Sequence, residues 1–302
     1  MFNGFSRSVK GASHDRSGLV CQDSSSHEIS ESFAVAVVAD GHGSKKHFRS
    51  NMGSKFAVEA TVETISRFFA DPEEFEANFP KNHKSIIKNI QKQIITIWNA
   101  KVNEHFKDNP VTAVEKRPFT PDELAAIPVE SYYGTTLIAA VLCKEFTFGV
   151  QIGDGSLVLV YDNGETTMPM GYEEANPANI TASICNQNAS SMFESFYIPK
   201  NDKKKVIAAF ASTDGLYTSF GSDYDFLDYH TLIASQLVNI DAFQEIVVKN
   251  LIKRSHFGTE DDISLSCVFD AETLEAQIPV LKQKVAENKK SAQDRRSGLS
   301  HR

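Results

Sequence analysis

The sequence predicts an α+β protein in which antiparallel β-sheets are flanked by helices. Six short segments are rich in β-branched and aromatic residues and end in turn residues, as strands do. Three of them lie between residues 136 and 161 and are separated only by tight turns, which favours antiparallel neighbours. The helical segments come in blocks rather than after every strand, so a doubly wound parallel sheet is not predicted.

One predicted strand stands out by its composition. Phe33–Ala39 is apolar at every position, so we expect both of its faces to be covered. The turn Asp162-Asn163-Gly164 indicates that the strand before it enters a hairpin. The six predicted strands are Phe33–Ala39, Thr136–Leu142, Phe146–Ile152, Leu157–Tyr161, Val206–Ser212 and Ile263–Phe269.

Four stripes of apolar residues at helical spacing, within 52–68, 86–98, 243–251 and 274–285, predict amphipathic helices. Two stretches, 107–130 and 168–199, are rich in proline, asparagine or serine, and we expect irregular loop insertions there. No linker-like seam divides the chain, which favours one domain over 1–270, followed by a helix and a basic tail over 271–302.

Charge is distributed unevenly along the chain. The formal net charge is −8, but residues 279–302 carry seven Lys or Arg and two Asp or Glu, so this end is near +5 and the remainder near −13. An acidic body argues against a nucleic-acid binder, which usually presents a basic face. We expect the residues from Lys289 onwards to be a solvated, disordered end.

Targeting and cysteine patterns predict a cytoplasmic protein. The first seven residues contain no apolar stretch typical of a secretory signal, and the longest apolar runs are too short to cross a bilayer. The four cysteines show no Cys-x-x-Cys pairing, so neither a disulfide framework nor a zinc site is predicted. Cys143 and Cys267 are expected to be buried free thiols.

Acidic residues recur at the edges of the apolar segments. Proteins hold hard divalent cations with carboxylates that several strand ends deliver to one rim, so this pattern indicates a metal centre. A single Asp-Gly pair would be an ordinary turn. The four segments are Cys21-Gln22-Asp23, Ala39-Asp40-Gly41-His42-Gly43, Ser212-Thr213-Asp214-Gly215 and Glu260-Asp261-Asp262-Ile263.

Two of the acids come just after predicted strands and precede glycine. After Asp40, Gly41 permits a tight backbone course, so its carbonyl and the Asp40 carboxylate can face one cation; a strand-ending turn is the alternative. Asp214 has the same context. The haloacid-dehalogenase type of phosphatase nucleophile is a rival interpretation of Asp214, but that motif has a second Asp where this chain has Ser212.

The remaining acids are less informative by themselves. Asp261 and Asp262 are adjacent, and alternate side chains of a strand point to opposite faces, so we expect at most one of them at a metal. The other would belong to an acidic loop that enters the strand. Asp23 lies in a Ser/His-rich segment with no strong local pattern.

Histidine supplies the candidate proton donor. His42 lies two residues after Asp40, and imidazole suits proton transfer better than binding of Mg²⁺ or Mn²⁺, which prefer oxygen. An exposed loop histidine is the alternative. His14 and His47 have no comparable context, and we expect them at the surface.

The order of these segments resembles that of the metal-dependent type 2C serine/threonine phosphatases. The resemblance runs from about Gly11 to Phe269 and depends on the order of six motifs rather than on any one of them. The motifs are Cys21-Gln22-Asp23, Val38-Ala39-Asp40-Gly41-His42-Gly43, Gly134-Thr135-Thr136, Ile152-Gly153-Asp154-Gly155, Ser212-Thr213-Asp214-Gly215 and Asp261-Asp262-Ile263-Ser264.

The resemblance implies a four-layer α-β-β-α sandwich of two antiparallel sheets, with two Mn²⁺ or Mg²⁺ ions at one end of a catalytic domain over 1–270. Asp40 would bridge both ions, the Gly41 carbonyl would bind one, and Asp214 and Asp261 would bind the other. Asp23 would act through metal-bound water.

The implied reaction is the hydrolysis of phosphoserine and phosphothreonine. A hydroxide held between the ions would attack phosphorus without a phosphoenzyme, while His42 protonates the leaving oxygen. The implied partner is a phosphoprotein, such as the substrate of a serine/threonine kinase.

The chain departs from the family pattern where a substrate phosphate is gripped. Members usually carry Arg five residues before the acid that matches Asp23, and this chain has Gly18 there. Arg16 or His14 would have to substitute. Gln22 stands where many members have Glu, which removes one negative charge.

The pattern for a third metal is incomplete. Asp154 matches the family's ligand, but Thr218 replaces the partner acid four residues after Asp214. These departures favour a divergent, bacterial-type branch, with 107–130 and 168–199 as its own loops around the site.

Three functions agree with these residues. An active phosphoprotein phosphatase is the leading interpretation. A catalytically weak or inactive phosphatase fold that regulates a partner is the alternative, because the phosphate-gripping Arg is missing. A hydrolase of small phosphoesters is a third, because the loops that would control access are unusual.

Overall fold

In a computed structural model that describes residues 1–170, 181–201 and 204–299, ten strands form two five-stranded antiparallel sheets. The strands are β1 (Phe2–Val9), β2 (Ser24–Ile29), β3 (Phe33–Ala39), β4 (Leu137–Cys143), β5 (Phe146–Ile152), β6 (Ser156–Tyr161), β7 (Thr166–Thr167), β8 (Glu194–Pro199), β9 (Val206–Ser212) and β10 (Ile263–Asp270). The first sheet has the order β1-β10-β9-β6-β7, and the second has β2-β3-β4-β5-β8.

The alternation of side chains along the strands divides the core into three layers. In β3 the odd-numbered residues 33–39 pack towards helices, and the even-numbered residues 34–38 lie between the two sheets. All seven residues of β3 are buried, which confirms that both of its faces are covered. Alanine is frequent on the faces that the two sheets turn to each other, as at Ala34, Ala36, Ala140, Ala209 and Ala211.

Helices cover the outer face of each sheet, so the predicted four-layer sandwich is confirmed. Long helices α2 (Ser50–Phe68) and α3 (Pro72–Asp108) pack on the second sheet. The first sheet is covered by α9 (Asp223–Ala234), α10 (Ile240–Arg254) and α11 (Ala271–Leu299). The short helices are α1 (Ala12–Ser17), α4 (Ala113–Lys116), α5 (Pro121–Ala126), α6 (Val129–Tyr132), α7 (Ala189–Met192) and α8 (Asp214–Tyr217).

The start of α2 approaches the segment that follows α6. A Cβ atom on Gly53 would lie 1.8 Å from the backbone oxygen of Tyr133, so only glycine fits there. The buried indole of Trp98 in α3 donates a hydrogen bond to the Gly53 carbonyl at 3.0 Å. This packing fixes residues 133–136, which border the candidate site.

The expectation that the three strands within 136–161 are neighbours is wrong for the third. β4 pairs with β5, and the Asp162-Asn163-Gly164 turn joins β6 and β7 as the predicted hairpin. β6, however, pairs with β9 in the other sheet. The turn after β5 carries the chain between sheets, with Gly153 at a φ of 104° that few other residues adopt.

The predicted loop insertions are partly regular structure. In 107–130, prolines open helices instead of breaking them: Pro121 begins α5, and Thr120 and Glu123 close a capping box there. At the end of the second stretch, residues 194–199 form β8 on the edge of β5. Residues 171–180 of that stretch lie outside the described residues. Strands β1 and β2 and helix α9 were not predicted.

The basic end of the chain continues α11 as far as Leu299, so the expectation of disorder from residue 289 is wrong up to that point. Its Ala, Lys, Gln and Arg residues favour helix, and Arg295 pairs with Asp228 of α9 at 3.3 Å. Residues 300–302 lie outside the described part.

Membrane and cysteine expectations can be compared directly. No helix in the described ranges is long and apolar enough to span a membrane. All four cysteines are free, and Cys143 and Cys267 are buried as predicted.

Candidate metal centre and active site

The end of β3 places Asp40, Gly41 and His42 beside the segment before β4. The Thr136 hydroxyl accepts a hydrogen bond from the Asp40 N–H at 2.9 Å, and the Thr136 N–H donates to the Asp40 carbonyl at 2.8 Å. One step on, the His42 N–H donates to the Gly134 carbonyl at 3.1 Å. These bonds fix the direction in which the Asp40 and His42 side chains leave the sheet.

Gly41 is required by a close approach of backbone. A Cβ atom at this position would lie 2.7 Å from the backbone oxygens of both Gln22 and Ser50. The Gly41 N–H also donates to the Gln22 carbonyl at 3.2 Å. The segment that carries Asp23 is therefore held directly against the one that carries Asp40.

Asp23, just before β2, lies in the same sheet as Asp40 and is linked to the opposite sheet through Thr213. The Thr213 hydroxyl donates to Asp23 Oδ2 at 2.8 Å and accepts from the Ser264 N–H at 2.8 Å. Asp23 is buried, which its polar sequence context did not indicate. Thus the end of β9 and the starts of β10 and β2 share one hydrogen-bond network.

Asp214 is the first residue of α8, and one of its carboxylate oxygens lacks a hydrogen-bond partner. Its Oδ1 is buried and has no hydrogen-bond partner. The next residue, Gly215, lies so close to the β10 entry that a Cβ atom would be 2.2 Å from the Asp262 carbonyl oxygen. A buried, unpartnered carboxylate oxygen is costly unless a cation satisfies it.

The adjacent acids Asp261 and Asp262 both line the cavity but have different surroundings. Asp262 is buried; its Oδ1 accepts from the Gly11 N–H and its Oδ2 from the Gln22 N–H, each at 2.6 Å, and His14 Nδ1 lies 3.0 Å from both oxygens. Asp261 is exposed at the rim of the cavity.

The acids perturb one another strongly. Burial, then the charge of Asp262, raises the pKa of Asp23 well above its usual value. Burial, followed by the charges of Asp23 and Asp214, does the same for the pKa of Asp40. Burial and the charge of Asp154 raise the pKa of Asp214 to about 6. A bound cation would relieve the repulsion between these like charges, which are poorly solvated.

The donors fit a hard divalent cation by their chemistry. They are carboxylate oxygens with a backbone carbonyl available at Gly41, the ligand types that Mg²⁺ and Mn²⁺ prefer. Within the described ranges, no three His, Cys, Asp or Glu side chains are already grouped so as to hold an ion. The orphan Oδ1 of Asp214 is the observation that favours a cation here.

His42 packs against a second histidine that sequence reasoning assigned to the surface. The rings of His42 and His47 are 4.9 Å apart, and His47 is buried with its Nδ1 hydrogen-bonded to the Ser131 carbonyl. The surface expectation for His47 was wrong, because Gly134 leaves room for its ring. Burial, followed by the charges of His47 and Lys46, lowers the pKa of His42 to about 4.

These groups open into a cavity of about 1040 Å³. Asp40, Gly41, His42, Asp214 and Asp261 line it, so five of the predicted site residues meet in one place. Further lining comes from segments that the motifs did not indicate, namely Lys46, Ile95, Asn99, Glu130, Ser131 and residues 183–187.

The residues that the sequence suggests for phosphate binding and for a third metal do not all lie at the cavity. His14 and Asp154 line the cavity, and Asp154 Oδ2 accepts from the Thr181 hydroxyl at 2.8 Å. Because His14 is only partly exposed, its expected surface position is wrong. Arg16 does not line the cavity; its guanidinium makes two hydrogen bonds to Glu260, at 3.0 and 2.5 Å.

A two-sheet sandwich with a carboxylate cluster at one end defines a recognised class of phosphatase fold. The family model described as protein phosphatase 2C matches residues 10–250, and the chain belongs to this family. No curated protein matches the chain significantly.

Solved structures agree on the fold. Serine/threonine phosphatase Stp1 from Staphylococcus aureus is similar with a TM-score of 0.57 and 14% identity, over 89% of this chain and 95% of that one. The S. agalactiae serine/threonine phosphatase has a TM-score of 0.55 and 17% identity, over 89% of this chain and 99% of that one. The catalytic domain of PstP, solved with two manganese ions, has a TM-score of 0.50 and 14% identity, over 89% and 97%.

Proposed function

We propose that this protein is a metal-dependent phosphoprotein phosphatase that hydrolyses phosphoserine and phosphothreonine. One observation carries the proposal: Asp23, Asp40 and Asp214, from distant parts of the chain, form a largely buried and mutually perturbed carboxylate cluster near His42. Membership of the protein phosphatase 2C family supports it.

In this proposal Asp40, the Gly41 carbonyl, Asp214 and Asp261 would hold two Mn²⁺ or Mg²⁺ ions. The two manganese ions in PstP support this number. When bound, such ions lower the pKa of water and stabilise negative charge on the phosphoryl oxygens.

The other acids have supporting roles. Asp23 would act through ordered water, since it is buried behind the cavity and bonded to Thr213. Asp154, at the cavity but bonded to Thr181, is the candidate ligand of a third ion.

His42 would deliver the proton that the leaving seryl or threonyl oxygen takes up. In the protein alone its pKa of about 4 leaves it neutral at pH 7. A bound phosphate dianion beside the ring would raise that pKa, because nearby negative charge favours imidazolium. His42 is thus expected to become an acid only when substrate is present.

Substrate and location follow from the same proposal. The substrates would be phosphoproteins produced by a serine/threonine kinase, and the protein would act in the cytoplasm. Neither a nucleic acid nor a membrane is part of the proposal.

The test is release of phosphate from a phosphoserine peptide with and without Mn²⁺. Asp40→Asn should lower the manganese-dependent rate about a hundred- to thousandfold, because it removes the charge of a carboxylate that would hold the metal. Asp241→Asn, an exposed carboxylate in the first turn of α10, is the matched control and should leave the rate unchanged.

Two results would contradict the proposal. A native protein that binds the phosphopeptide without manganese-dependent turnover would be a regulatory binding module instead. A protein that hydrolyses a small aryl phosphate but not phosphopeptides or phosphoproteins would be a hydrolase of small phosphoesters.

A further inference from the structure

We propose that Lys46 binds the phosphoryl group of the substrate, an inference that deepens the proposed phosphatase function and rests on it. Lys46 lies in the turn that follows Asp40-Gly41-His42 and lines the same cavity as these residues. Neither Lys45 nor Arg16 lines this cavity.

The local structure explains why the ammonium of Lys46, and not that of Lys45, reaches the cavity. Residues Lys45–His47 form one turn of 3₁₀ helix, in which consecutive side chains point about 120° apart. Lys45 lies over the Phe119 ring, 5.1 Å from its centre, with its ammonium 3.8 Å from Glu123. His47 points into the protein and is hydrogen-bonded to the Ser131 carbonyl. The remaining direction, taken by Lys46, faces the cavity.

The charge balance of the cavity makes one free cation important. Six carboxylates line it: Asp40, Glu130, Asp154, Asp214, Asp261 and Asp262. Among the described lining residues, Lys46 is the one Lys or Arg. A phosphate dianion that enters such a place is repelled unless positive charge is close to it.

The Lys46 ammonium is available for this purpose. In the described ranges it makes no ion pair with a carboxylate, and the side chain is exposed. A flexible lysine stem lets the ammonium follow a phosphoryl group as a point charge.

Arg16 is the rival candidate, since the sequence predicted it or His14 for this role. Its guanidinium is already engaged by both oxygens of Glu260, at 3.0 and 2.5 Å, away from the cavity lining. An arginine in a bidentate pair would have to give up those bonds before it could bind phosphate.

The test measures binding rather than turnover. Inorganic phosphate is titrated calorimetrically into the manganese-loaded full chain and into four variants: K46Q, K46R, K45Q and R16Q. Loss of one charge-assisted hydrogen bond should weaken phosphate binding by K46Q about tenfold or more. K46R should retain most of the affinity, and K45Q should bind as the native protein does.

Several results would overturn the inference. They are native affinity in K46Q, an equal loss in K45Q, a loss in R16Q with none in K46Q, or no phosphate binding by the native protein. Thermal unfolding of each variant excludes a folding defect, and K46M, which also removes the charge, replaces K46Q if K46Q is unstable. Failure of the proposed function is distinguishable, because Lys46-dependent phosphate binding without phosphopeptide hydrolysis would leave this inference standing.

Discussion

Part of the cavity surface is carried by strand ends, whereas another part is carried by turns and short helices. We call the first the acidic wall, defined by Asp40, Asp214, Asp261 and Asp262. We call the second the loop wall, defined by Ser44, Lys46, His47 and the segments 128–131 and 183–190.

The two walls are held in place by different means. Backbone hydrogen bonds and glycine contacts between strand ends fix the acidic wall, as where Thr136 meets Asp40 and Gly215 meets Asp262. The loop wall depends on a few side chains. Chief among them is the buried Arg49, whose guanidinium bonds both oxygens of Glu115, the carbonyls of Asn109 and Pro110, and the Tyr133 hydroxyl.

This difference predicts different failures. A change in the acidic wall moves the groups that would carry the chemistry. The contacts there are between backbone atoms, so no flexible side chain can move aside. A change in the loop wall loosens an anchor and alters what binds, while the carboxylates keep their positions. Substitutions that strike one wall alone can therefore separate catalysis from binding.

The largest effect is expected for Gly215→Ala, which breaks the acidic wall. Its Cβ would lie 2.2 Å from a backbone oxygen of Asp262, so backbone must shift at Asp214 or at the start of β10. A displacement of about 1 Å at reacting groups costs on the order of a hundredfold in rate, and overpacking costs about 1–3 kcal/mol of stability. Phosphopeptide turnover measures the loss in rate, and urea unfolding measures the loss in stability.

Gly221→Ala is the matched control. Nothing lies within 4 Å of a Cβ atom at this position, and its φ is not positive. We expect native turnover and a change in unfolding free energy of less than about 1 kcal/mol. Equal behaviour of the two variants would contradict the view that the acidic wall is rigid.

A smaller effect on turnover is expected for Arg49→Met, which breaks the loop wall. Removal of one partner from a buried ion pair costs about 3 kcal/mol or more, and Glu115 keeps some contact with solvent, so we expect about 2–3 kcal/mol in urea unfolding. Manganese affinity should stay native, whereas phosphopeptide KM should rise. Arg67→Met removes the exposed pair with Glu63 and should cost less than about 1 kcal/mol.

The acidic wall could be predicted from sequence and the loop wall could not. Asp40 and Asp214 each end an apolar strand, a pattern that is visible without a structure. His47 gave no such signal, because its burial depends on the distant Gly134 and Ser131. Nothing in the sequence distinguishes Lys46 from an ordinary surface lysine, because its direction depends on the 3₁₀ turn.

The sequence predicts the parts of the fold that the hydrophobic pattern determines. It does not predict the parts that depend on which strands pair. β2, with the sequence SSSHEI, has no apolar alternation, and it exists because it pairs with the fully buried β3. β6 was placed beside β5 because the turn is short, yet its partner is β9. Sequence distance does not indicate which sheet a strand joins when the turn lies at the end of a sandwich.

The last and smallest prediction concerns what the acidic wall costs the metal-free protein. The folded-state pKa of Asp214, about 6, is raised above its ordinary value of 3.8. The group therefore favours folding below pH 3.8, and that contribution is lost as pH rises through 6. Asp214→Asn should remove this loss and raise the unfolding free energy of chelator-treated protein at pH 7 by about 1–3 kcal/mol.

Urea unfolding of both proteins between pH 4 and pH 7.5 measures the difference at each pH. His230 acts in the opposite direction, since burial lowers its pKa to about 4 and stability is lost as pH falls from 6.5 towards that value. Because both proteins contain His230, its contribution cancels in the difference. If the stabilisation by Asp214→Asn did not grow from pH 4 to pH 7, the acidic wall would not be strained without a cation. The proposal of a metal centre would then lose its electrostatic support.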